Sequence, residues 1–87
     1  KIFGLINTRN PRTMVFYTRF GIHTFFVKHA IDVLVLDNSC RVKVIKKNLM
    51  PYRLFFYLPL YRVVLELPSG FIASKKIKLN DKIELIS

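Results

Sequence analysis

The sequence predicts a mainly β domain, α+β at most. It reads as a compact small barrel or sandwich of about six short strands with one short helix near residues 70–75. Three observations carry this. A nearly continuous apolar run, Ile31 to Leu36, is rich in β-branched residues. Several short segments alternate apolar and polar residues with the strand period of two. Each segment is bounded by turn residues such as Asp37-Asn38-Ser39, Pro68-Ser69-Gly70 and Leu79-Asn80-Asp81.

The run at 31–36 is the centre of the pattern. It is interrupted only by Asp32. It is too short for an ordinary helix, and unbroken apolarity implies a strand covered on both faces. Residues 23–27 (HTFFV) read as a second strand, with Phe25 and Phe26 on opposite faces.

The remaining elements follow in order. Ile2, Phe3, Leu5 and Ile6 suit one helical turn or a short edge strand. Residues 7–13 form a loop broken at Pro11, and Met14 to Tyr17 a short strand; Thr18 to Gly21 is a turn. Asp37 to Arg41 is a hairpin turn. In 41–47 (RVKVIKK), Val42 and Val44 are expected inward, with Arg41 and Lys43 outward. Lys46 then falls toward the inner side unless a bulge near Ile45 resets the alternation. Residues 48–51 are a loop, and 52–58 (YRLFFYL) an aromatic strand ended by Pro59. In 61–67, Tyr61, Val63, Leu65 and Leu67 share a face. Ser69 is placed to cap a helix over 71–75. A last strand covers 82–86, with Ile83 and Leu85 inward.

The 87 residues suggest one domain, 1–87, with a single modest core. Apolar residues make up 52%, so some apolar surface is expected to stay exposed or meet a partner. Lys and Arg number 15 against five Asp and Glu, a formal charge of +10, and no acid precedes Asp32. Such a field attracts nucleic acid, anionic membranes or acidic proteins without choosing among them. Cys40 is the one cysteine, which excludes an intrachain disulfide and a thiolate metal cluster. No apolar run approaches the roughly 18 residues of a membrane span. A start at Lys1 leaves room for an upstream leader. The sequence does not fix a compartment; cytoplasmic, or exported after removal of a leader, are the two expectations.

Chemistry is sparse. His23, His29 and Asp32 are the one cluster with metal or acid–base potential. The structural reading is preferred: Asp32 bonds backbone amides at the 28–31 corner, and no metal, cofactor or catalytic residue is assigned. Cys40 is read as inert, and the isolated glycines 4, 21 and 70 make no phosphate loop. The candidate binding surface is Arg41, Lys43, Lys46 and Lys47 with Tyr52, Arg53, Phe55 and Tyr57. Cations beside rings are what single-stranded nucleic acid binding uses.

Four phrases in this order and spacing, GIHTFFVKHAIDVLVLD, RVKVIKKNLMPYR, VVLELPSG and IKLNDKIEL, resemble domain-of-unknown-function family 192, a family of small prokaryotic domains. The resemblance runs from Gly4 to Ile86. It implies a compact, mostly β domain with short helical elements and brings no catalytic residues. Val27 stands where that family commonly has Met, and Ala30 where it has Pro. Cys40 and Asn80 stand where it has turn glycines. Asn80 tolerates a left-handed backbone. A cysteine there is strained, so Asn38 or Ser39 is expected to take that role near residue 40.

The function that follows is a non-enzymatic module binding a protein or a small ligand. The alternative is an RNA- or single-stranded-DNA-binding accessory domain. A metal-dependent enzyme using His23 and Asp32 is third.

Overall fold

The apolar run 31–36 becomes an interior strand of a four-stranded antiparallel sheet. The structure is a computed structural model, and it describes residues 2–7, 13–17, 22–23, 29–51, 54–55, 61 and 63–86. The elements are β1 (Ile2–Asn7), β2 (Met14–Tyr17), β3 (Ile22–His23), β4 (Ile31–Leu36), β5 (Val42–Leu49), β6 (Leu54–Phe55), β7 (Val63–Pro68), α1 (Phe71–Lys75) and β8 (Lys82–Ile86). The main sheet has the order β2-β7-β4-β5. β1 and β8 pair in parallel, and β3 pairs with β6 antiparallel.

All six residues of β4 are buried. Leu34 and Leu36 enter one core cluster with Ile6, Leu65, Leu67, Ile72 and Ile83. Ile31, Val33 and Val35 enter a second cluster with Leu49 and Val64. This is the two-sided burial expected of an unbroken apolar strand. Each such side chain contributes about 1.5–3 kcal/mol when fully buried. The first cluster therefore joins the main sheet to β1, β8 and α1. The fold is mainly β with one short helix, as the sequence predicts. Met14, Met50 and Leu79 are the large apolar residues left exposed among those described.

The chain's first strand was open to two readings, and it is a strand. Its partner is β8, at the opposite end of the sequence, with Leu5 opposite Glu84 and Ile6 opposite Leu85. The two sheets are stitched together where β5 begins. Val42 donates to the Asp81 carbonyl, Asn80 to that of Val42, and Ile83 to that of Cys40, all at 2.8–2.9 Å.

β5 departs from simple alternation. Leu36 faces Val42 and Val35 faces Val44, so Lys43 is an extra residue, a bulge. Val42 therefore stays in the first cluster, while Val44 packs against the second instead of sharing the face of Val42. The strand also runs on to Leu49, through a segment expected to be loop. A second irregularity lies opposite Asp32, where Asn48 adopts φ 57.

In β7, Val63, Leu65 and Leu67 face the first cluster as expected. Tyr61 precedes the strand and packs against the second cluster, so it does not share their face. Helix α1 forms where expected, but Ser69 does not cap it. Gly70 holds the cap position at φ 90, with no side-chain cap bond, and the Ser69 hydroxyl donates to Asn48 Oδ1 at 2.9 Å. The hairpin at 37–41 forms, with Cys40 N–H bonded to the Asp37 carbonyl. The left-handed residue there is Cys40 itself, φ 61, not Asn38 or Ser39. Hydrogen bonds from the Ser39 and Arg41 amides to Asp37 Oδ1 fix the turn around it. Asn80 is left-handed as expected, φ 71.

The expectations for 7–13, 18–21, 24–27, 52–53 and 56–58 fall wholly or mostly outside the described residues. Among the described residues, no helix is long and apolar enough to cross a membrane.

Candidate functional site

Asp32 lies opposite Leu67 in the sheet, and partners across strands share a face. That face is the first core cluster, and Asp32 is only 1% exposed there. A buried carboxylate is costly unless it is hydrogen-bonded. Asp32 Oδ1 accepts the Asn48 N–H and Oδ2 the Ile72 N–H, each at 2.9 Å. The carboxylate does bind backbone amides, but not those of the 28–31 corner. The donors come from the irregular end of β5 and the first turn of α1. The strand's pleat aims the side chain at the helix rather than along its own chain. The carboxylate thus completes the helix start that Ser69 leaves uncapped.

His23 stands in β3, opposite Leu54, in a sheet separate from that of Asp32. His29 is exposed in the bend before β4. Among the described residues, no three His, Cys, Asp or Glu side chains are grouped to hold a metal. Cys40 is a free thiol, half-buried against the first cluster.

The basic residues of β5 are distributed by its bulge. Val42 pairs with Leu36, and Lys46 with Val33, on opposite faces of the sheet. Without the extra residue, Lys46 would share the core face of Val42. The resetting bulge lies at Lys43, two residues before the expected place. Arg41, Lys46 and Lys47 are exposed. The Arg41 guanidinium Nη1 donates to the Asn80 carbonyl at 2.9 Å, and Lys43 Nζ to Asn80 Oδ1 at 2.9 Å. Lys43 Nζ also lies 3.8 Å from Asp37 Oδ2. Phe55 stands in β6 opposite Ile22. Tyr52, Arg53 and Tyr57 lie outside the described residues.

Two carboxyl groups are tuned in opposite directions. Burial pushes Asp37 upward, but amide bonds from Arg41 and Ser39 and the charges of Lys43 and Arg41 outweigh it and hold it below the ordinary aspartate value. Glu66, half-buried on β7 between Met14 and Val33, is pushed up by burial.

The sequence reading missed Lys82 and Asn80 as neighbours of the basic strand. Lys82 faces Arg41 in an antiparallel bridge. Its local signal was only a lysine after a turn.

A short antiparallel sheet, a parallel pair formed by the chain's two ends and a buried carboxylate at a helix start define a small mainly β domain. Over residues 3–85 the chain matches domain-of-unknown-function family 192, described as an uncharacterised ACR, and it belongs to that family. It is 36% identical to a UPF0127 protein of Pyrococcus abyssi, over all of this chain and 79% of that protein. It is 38% identical to a UPF0127 protein of Pyrococcus horikoshii, over 74% of this chain and 55% of that protein. No solved structure matches it significantly. Neither relative's name states an activity.

Proposed function

We propose that this chain is a single non-enzymatic binding domain whose partner is an acidic protein surface met by the cations of β5. The supporting observation is the bulge at Lys43. It moves Lys46 from the face of Val42 to that of Val33, and exposed Arg41, Lys46 and Lys47 lie in or just before this edge strand of a protein carrying +10. Complementary charge of this kind steers association and selects partners. The metal-dependent reading is weaker, because both oxygens of Asp32 already hold backbone amides.

The second reading is an RNA- or single-stranded-DNA-binding domain. It is favoured by cations neighbouring Tyr52, Phe55 and Tyr57 in the sequence. Fluorescence anisotropy with a labelled acidic peptide and a labelled single-stranded oligonucleotide separates the two. The peptide should bind at low salt and be released at high salt. The oligonucleotide should bind weakly, with each phosphate contact adding a slope of about −0.7 in log affinity against log salt. Oligonucleotide binding that survives high salt and falls with Phe55→Ala or Tyr57→Ala would establish the second reading instead. Failure of both probes to bind at low salt would overturn the acidic-partner reading.

A further inference from the structure

Arg41 and Lys82 face each other in the isolated bridge that joins β5 to β8. Partners in an antiparallel bridge carry their side chains on one face, with Cβ atoms about 4.5–5.5 Å apart, and like charges there repel. Both residues are exposed. Lys43 reaches the same corner from the bulge. Its ammonium and the Arg41 guanidinium both donate to Asn80, one to the side chain and one to the backbone. Two cations thus meet at one uncharged residue, and a third, Lys82, faces Arg41 across the bridge.

The acids nearby do not neutralise this corner. Asp37 Oδ2 lies 3.8 Å from Lys43 Nζ and its charge is also felt by Arg41, but one carboxylate, whose other oxygen accepts two backbone amides, offsets only part of three cations. Asp81 Oδ2 accepts the Lys78 N–H within its own turn. Glu84 follows Lys82 by two residues and borders the cations on the same face of β8.

The bonds to Asn80 hold Arg41 and Lys43 in place, so an incoming anion finds them already ordered. A guanidinium carries five N–H donors in a fork that fits a carboxylate, and Asn80 takes one of them. We propose that Arg41, Lys43 and Lys82 form the anchor for carboxylates of an acidic protein segment. This rests on the acidic-partner reading and locates its contact. A nucleic-acid backbone favours cations strung along a groove. This cluster is compact and has Glu84 at its border, which suits one or two carboxylates better.

The test is anisotropy of a labelled Glu/Asp-rich peptide at low salt, with Arg41→Gln, Lys82→Gln, Glu84→Gln and a Lys46→Gln/Lys47→Gln pair. Arg41→Gln and Lys82→Gln should each weaken binding roughly threefold to tenfold, the range of a solvated ion pair up to a charge-assisted hydrogen bond. Glu84→Gln should tighten it, and the Lys46/Lys47 pair should change it less than Lys82→Gln does. Because Lys82 faces another cation, Lys82→Gln should leave the melting temperature unchanged or raised, which separates lost binding from lost folding. If only the Lys46/Lys47 pair weakens binding, the anchor is wrong while the acidic-partner reading stands. If the wild type ignores the peptide, both fall. If an oligonucleotide binds instead and Arg41→Gln weakens it, the corner holds phosphate and the acidic-protein assignment is overturned.

Discussion

Asp32 on β4 accepts the backbone N–H of Ile72, 40 residues further along the chain, at 2.9 Å. Its other oxygen takes the N–H of Asn48, a residue held at φ 57. One side chain therefore ties the start of α1 and the irregular end of β5 to the centre of the sheet. Asn offers one acceptor oxygen and an NH2 group that would confront an N–H donor. Asp32→Asn should lower stability by about 1–3 kcal/mol, the cost of leaving a buried donor unsatisfied. Amide exchange at Asn48 and Ile72 should accelerate with it. An unchanged denaturant midpoint would show that the clamp carries no weight.

Leu65 stands between Val15 and Leu34 in the sheet and is fully buried in the first core cluster. Leu65→Ala should cost about 2–5 kcal/mol through lost burial and the cavity left behind. That is a large part of a stability of about 5–15 kcal/mol. Urea unfolding measures it. A loss below about half a kcal/mol, the size of an ordinary surface change, would mean that this face of β7 is not core.

Glu66 should make the protein less stable as pH rises. Burial raises its folded value above 4.5, so the folded state favours the protonated acid. Its contribution is complete below 4.5 and is lost as pH climbs through the raised folded value. Glu66→Gln should flatten this part of the melting-temperature profile between acid and neutral pH. Parallel profiles for the two proteins would contradict the assignment.

Asp37 should act with the opposite sign. Its folded value is lowered, so its contribution is present above 3.8 and disappears as pH falls through the folded value. Asp37→Asn should remove stability at neutral pH and narrow the gap to wild type in strong acid. A gap constant across the acid range would show that the carboxylate's charge is irrelevant to the turn.

Local pattern was enough for several elements. Ile31–Leu36 is strand because an unbroken β-branched run of that length suits a strand buried on both sides. Val63, Leu65 and Leu67 lie on the core face because the strand period places them there. Asn80 turns left-handed because its short polar side chain tolerates that conformation. The ordered phrases from Gly4 to Ile86 carried the family itself.

Other features depended on chain segments remote in sequence. The N-terminal apolar cluster became strand by pairing with β8, and an apolar segment does not encode so distant a partner. One extra residue at Lys43 reversed the face of Val44 and moved Lys46 to the face of Val33, because a single insertion shifts every later side chain by half the strand period. Cys40 took the left-handed position because Asp37 holds the turn on either side of it. Asp32 read as a local cap, yet its donors are Asn48 and Ile72. Arg41 and Lys82 became neighbours only when β5 met β8. Alternation and turn residues act over a few positions, so the sequence by itself determined the strand character and the principal core faces. Cross-strand register, the donors of a buried carboxylate and the grouping of surface cations arise from contacts between distant segments, and only the tertiary structure decided them.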